Sequence, residues 1–183
     1  MRARIPELDA LMELECAVEA PWPIPPDWEE LATRAAAALA QFAPELANPR
    51  LSASVLFADD AEVHALNRDW RGKDKPTNVL SFPMLERPEL LALRATGEDD
   101  APPELLGDIA LAYETCAREA AEKGISLEDH AVHLIIHGLL HLAGHDHEAT
   151  QQDAAAMEAL EIKALAWMGL ADPYGDADEL HED

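Results

Sequence analysis

Between residues 12 and 19 the apolar Met12, Leu14, Cys16 and Val18 alternate with Glu13, Glu15 and Glu19, the period of two that a half-exposed strand requires. Pro21, Pro23, Pro25 and Pro26 stop it. Asp27 then stands as a helix N-cap with Glu30 three positions on. Leu31, Ala35, Ala38 and Leu39 recur at helical spacing behind it, predicting a helix to about Phe42. Leu51, Ala53, Val55 and Phe57 return to alternation, which predicts a second strand over 51–57. Asp59 or Asp60 caps a short helix through Trp70, and the polar run from Arg71 to Asn78, with Gly72 and Pro76, reads as a loop.

Residues 79–82 and 107–112 supply a third and a fourth strand. A helix over 113–123 is closed by Gly124, and Ser126 caps the next, with Asp129 three positions on and apolar positions continuing to Leu142. A last helix covers roughly 148–168. Residues 84–103 are charged and contain proline, and read as a surface excursion of low order. No internal repeat is visible.

The chain has 183 residues, enough for one domain with its own core. The expected division is a single domain over 1–170 and an acidic, frayed tail over 171–183. Aromatic residues make up 5% of the chain, which favours packing on Ala and Leu in helices over an aromatic-rich sandwich. Cys16 and Cys116 lie a hundred residues apart and fit no metal or redox spacing, so they read as ordinary thiols in a reducing compartment. Acidic residues follow Arg2 and Arg4 too soon for a signal-peptide core, and no run approaches the ~20 apolar residues of a membrane helix. The expectation is a soluble, cytoplasmic protein with no membrane partner. Its net charge of -24 argues against nucleic acid, which Lys and Arg normally recruit, unless a local patch decides binding.

Six of the eight histidines fall between His130 and His147. His137 and His141 are four apart, so on a helix they share one face. Gly144, three residues later, lets the chain turn back and bring His147 toward the same point. Three imidazoles with an open fourth position are the pattern of a catalytic zinc site. His133, one turn back on that face, reads as a neighbour of the site or as exposed rather than as a fourth ligand, which would close the position water needs. Asp146 either accepts the second ring N–H of a ligand histidine or stabilises the turn. The spacing also matches the metzincin peptidases except that Gly138 stands in place of their general-base Glu, which moves the site away from peptide hydrolysis.

A second signal lies in Arg68–Lys75, which holds four of the thirteen basic residues and only two acids. A guanidinium at Arg71 can grip a phosphate bidentately, and Thr77 and Ser81 could add hydrogen bonds.

The segments from His137 to His147, Asn67 to Pro83 and Leu106 to Ile109 together resemble the YbeY family of bacterial rRNA-maturation endoribonucleases, over about residues 50–165. The resemblance implies an α+β fold: a small mixed sheet, here of about four strands, packed by about five helices, with the metal site at the end of a core helix. It implies one divalent metal ion on His137, His141 and His147, zinc first, with nickel or another late divalent metal also suited to three imidazoles. Arg71 falls on the family's functionally important arginine. The implied role is 16S rRNA 3′-end maturation and ribosome quality control, with rRNA and the small ribosomal subunit or its proteins as partners. Two features depart from the family pattern, His145 in place of an aromatic or aliphatic residue and a longer 84–103 excursion. The competing readings are a metallopeptidase-like or small-molecule hydrolase on the same site and a non-catalytic assembly factor with a structural metal.

Overall fold

The segments with period-two patterning become the sheet. The computed structural model describes residues 11–93, 102–145 and 150–174. Among them, strands β1 (Glu13–Val18), β2 (Leu51–Ala58), β3 (Val79–Pro83) and β4 (Glu104–Ala112) lie in the order β1-β2-β4-β3. β1 and β4 run parallel to β2, and β3 runs antiparallel to β4. The sheet is mixed, as the family resemblance implies.

Parallel neighbours need a crossover. Helix α1 (Trp28–Ala40) supplies it between β1 and β2, and α2 (Asp60–Arg71), β3 and α3 (Arg87–Ala92) fill the path from β2 to β4. Helices α4 (Tyr113–Lys123), α5 (Leu127–Leu142) and α6 (Gln151–Trp167) follow. Along β2 the alternation is visible in burial: Leu51, Ala53, Val55 and Phe57 are buried, and the residues between them less so. Phe57 meets Trp22 edge-on at 5.1 Å, and Trp22 meets Trp28 edge-on at 4.9 Å. α5 packs against α1, α4, α6, β3 and β4. Its apolar residues point in nearly every direction because nearly every direction is core.

Two expectations need correction. The excursion over 84–103 is not uniformly loose: residues 87–92 form α3, opened by a reciprocal capping box between Glu86 and Glu89 and anchored by buried Leu90. A six-residue helix with one buried side chain leaves no periodicity to read. β4 begins at Glu104 rather than at residue 107, because a register shift opposite Ser52 and Ala53 breaks the alternation of Leu105 and Leu106. Residues 94–101 of the excursion lie outside the described residues, as does the expected tail from residue 175.

Both thiols read as inert. Burial first, then the carboxylates of Glu29 and Asp27, push Cys16 up to about 12; burial and Glu119 do the same to Cys116. Among the described residues no helix is long and apolar enough to cross a membrane.

Candidate active site

α5 starts where Ser126 Oγ accepts the Asp129 N–H at 3.0 Å and runs through the core to Leu142. His137 and His141, one turn apart, emerge from its last two turns into a cleft of about 640 Å³. Their Nε2 atoms approach to 3.1 Å. Two imidazole nitrogens bound at 2.0–2.1 Å to one tetrahedral ion stand about 3.3 Å apart. The two side chains are thus already spaced as a pair of ligands, and this donor set fits the expected ion.

The helix ends at Gly144, whose φ of +98° suits glycine alone and whose added Cβ would lie 2.7 Å from Arg87 Cβ. The N–H of His145 bonds back to Leu140 O at 3.0 Å, which turns the chain. Arg87 Nη1 reaches Ala143 O at 2.6 Å and Glu45 Oε2 at 3.2 Å, so α3 clamps this exit. His147, the third expected ligand, and Asp146 lie outside the described residues. His145 lines the cleft, and burial, followed by the charge of Arg87, lowers its pKa.

What holds His137 was not anticipated. Its Nδ1 donates to Glu161 Oε2 at 2.5 Å. Glu161 comes from α6, on the stripe with Met157, Ala164 and Leu165, and has no exposed surface. The Tyr174 hydroxyl also donates to this carboxylate, and His133 Nε2 lies 3.4 Å from it. Burial pushes the Glu161 carboxyl up, but the hydrogen bonds and charges of His133 and His137 overcome it and hold the group at about 2. A carboxylate only accepts, so it fixes His137 with its proton on Nδ1 and a lone pair on Nε2, the tautomer a metal requires. Burial lowers the pKa of His133 against the pull of Glu161. His133 is buried beside the site rather than exposed, and Tyr174, near the start of the expected tail, packs edge-on against it at 5.6 Å. The signal for Glu161 was present in the sequence: an acid at i+4 from Met157 and i−4 from Leu165, inside an apolar stripe.

Gly138 flanks the histidine face of α5 on the side turned to the sheet. A Cβ there would lie 3.0 Å from Ile109 Cδ1 on β4. The position where a metzincin carries its base is therefore pressed against the sheet.

The opposite wall of the cleft is basic. Asp59 caps α2, and Gly72, at φ +71°, ends it. Buried Asn67 donates from Nδ2 to Lys75 O at 2.9 Å and accepts the Lys73 N–H at its backbone carbonyl, 3.1 Å. This ties the loop back to the helix and sets Arg71, Lys73 and Lys75 along the cleft with Thr77 and Ser81. Among the described residues none of these three cations has an ion-pair partner, whereas neighbouring Arg68 pairs with Asp69 at 2.9 Å.

The family model for endoribonuclease YbeY matches residues 22–169. A relative named endoribonuclease YbeY from Erythrobacter litoralis is 62% identical, over 90% of this chain and 99% of its own length. Another from Novosphingobium aromaticivorans is 58% identical over 90% of this chain and 97% of its own. The solution structure of TM1509 from Thermotoga maritima aligns with a TM-score of 0.52 at 22% identity, covering 92% of this chain and 99% of that one, a likeness of fold. The convergent histidines, the basic loop facing them and the similarity along nearly the whole length agree, and the chain belongs to the endoribonuclease YbeY family.

Proposed function

We propose that this protein is a metal-dependent endoribonuclease that cleaves single-stranded rRNA in the cytoplasm, in 16S rRNA 3′-end maturation and ribosome quality control, with the small ribosomal subunit or its proteins as partners. The observation that carries the reading is the approach of His137 and His141 Nε2 to 3.1 Å, across a cleft from cations that have no ion-pair partner among the described residues. His137, His141 and His147 would hold one divalent ion, zinc before nickel. When bound, such an ion supplies Lewis acidity, lowering the pKa of water and polarising a phosphoryl oxygen.

The rest is done by the chain. Glu161 holds the His137 ring and its tautomer. Arg71 grips the phosphate bidentately and stabilises the charge that builds on its oxygens during attack. Lys73 and Lys75 draw the backbone in, and Thr77 and Ser81 offer hydroxyls to phosphate or ribose. The rival peptidase chemistry lacks the metzincin base, since position 138 is glycine and a side chain there would meet Ile109.

The test uses purified parent, His137→Ala and Arg71→Glu on an rRNA fragment spanning the 16S 3′ end, with metal content measured on each. His137→Ala is expected to lose both bound metal and cleavage. Arg71→Glu is expected to keep its metal and lose cleavage by about 10²-fold or more. Full cleavage by both variants would sink the proposal.

A further inference from the structure

Trp70 is 75% exposed, the most of the four tryptophans; Trp167 follows at 39%, and the other two are buried. Trp22 and Trp28 are buried, and their indole N–H groups donate to Ala58 O and Pro23 O, each at 2.7 Å. Helix geometry makes the exposure more informative. Val63, Asn67 and Trp70 are spaced i, i+4 and i+7, so they share one side of α2. Val63 is fully buried and Asn67 is 2% exposed in the cleft wall. The same stripe then runs out of the core at Trp70, one turn beyond Asn67 and immediately before Arg71. Trp70 does not itself line the cleft, but it is the immediate neighbour of Arg71 and one turn beyond Asn67, which both do, so an apolar ring stands exposed where α2 leaves the cleft wall.

We infer that Trp70 is a stacking platform for an unpaired nucleobase of the RNA strand whose phosphates run past Arg71, Lys73 and Lys75. The inference rests on the endoribonuclease reading and adds to it a residue that selects single strands. Surfaces that bind single-stranded nucleic acid combine a cationic track for the backbone with an aromatic face for the bases. Here the three cations have no ion-pair partner among the described residues, and the aromatic ring is exposed. In a duplex, neighbouring base pairs cover both faces of each internal base, so Trp70 has nothing to stack on. Every base offers a π face, so the contact carries strandedness rather than sequence.

The experiment is a fluorescence-anisotropy titration on ice, within times shorter than cleavage. Parent, Trp70→Ala, Trp70→Phe and Arg71→Ala are each mixed with a single-stranded oligoribonucleotide, its duplex, and a ribose-phosphate oligomer of equal length lacking bases. Trp70→Ala is expected to weaken single-strand binding about five- to a hundredfold, with abasic and duplex affinities and the salt slope unchanged. Trp70→Phe is expected to retain most of the affinity. Parent-like binding by Trp70→Ala, an equal loss on the abasic oligomer, or no rescue by Phe would each overturn the inference. If Arg71→Ala weakens binding and Trp70→Ala does not, stacking alone fails. If the parent binds no oligomer, the nuclease reading fails with it. Thermal melts control for folding, and the exposure of Trp70 predicts none will shift.

Discussion

On one wall of the cleft His137 is gripped by a carboxylate with no exposed surface, itself satisfied by Tyr174 and faced by His133. On the other, Arg71, Lys73 and Lys75 project from a loop tied to α2 through its backbone to Asn67 and through Asp74 to His64, with none of the three cations used in the fastening. The difference follows from what each wall would hold. An ion tolerates ligand errors of only tenths of an ångström, so its histidines need rings and tautomers fixed in advance. A flexible polyanion needs charge within reach and little geometry, so its cations stay solvated and uncommitted. This also reconciles a net charge of -24 with a nucleic-acid reading: the acids elsewhere set the solubility, and the few cations left unpaired set the local field.

The comparison is tested most severely at Glu161. Glu161→Ala removes the fully buried acceptor of the His137 N–H and the Tyr174 hydroxyl, and is expected to destabilise the fold by about 1–3 kcal/mol. It should also weaken zinc binding about 10- to 100-fold. Glu161→Gln keeps an acceptor for Nδ1–H and should fall between. Denaturant unfolding and zinc titration against a chromophoric chelator give both values, and parent-like zinc affinity in Glu161→Ala would mean that the buried wall is not built for the ion. The acid limb has a defined sign. The folded Glu161 carboxyl lies at about 2, below its ordinary 4.5. Its contribution to stability is therefore complete above pH 4.5 and is lost as pH falls toward 2. In the metal-free protein, Glu161→Ala should flatten that limb of the stability profile.

A further effect is expected where α3 meets the end of α5. Gly144→Ala puts a Cβ at φ +98° and 2.7 Å from Arg87 Cβ, which should destabilise by about 1–3 kcal/mol. Zinc affinity should fall with it if the turn after His141 aims the remaining ligand. Unchanged zinc affinity in a destabilised Gly144→Ala protein would separate the turn from the site and confine the preorganised wall to α5 and α6.

These two walls were unequally legible in the sequence. Spacing alone put His137 and His141 on one face, and the surplus of Lys and Arg in 68–75 marked the other wall, because both signals are local. Glu161 lies twenty-four residues from His137, and its burial depends on how α6 docks, so periodicity showed a stripe without showing that its acid had a partner. α3 was illegible for a different reason: one and a half turns hold too few residues for a 3.6-residue period. Asn67 looked like a polar helix residue, and only the fold of the following loop makes it the anchor of Lys73 and Lys75. The sheet was read nearly to its ends because alternating burial is imposed residue by residue. The exception, the start of β4, is where a register shift interrupts it.

The smallest expected effects belong to Lys73 and Lys75, and they probe the basic wall most directly. Neither has an ion-pair partner among the described residues, so Lys73→Ala or Lys75→Ala removes no internal interaction, and stability should stay within about 0.5 kcal/mol of the parent. Each contact with a single-strand phosphate contributes about 0.7 to the slope of log affinity against log salt. If both lysines follow the strand, each substitution should lower that slope by about 0.7, and the pair by about twice as much, with metal content unchanged. A parent-like slope in the double variant would leave Arg71 as the one of the three cations that contacts phosphate. A lowered zinc stoichiometry would mean that the two walls are coupled. Additive slopes with intact metal binding would show the cations acting as independent charges, in contrast to the buried network around Glu161, where removing one member disturbs all the others.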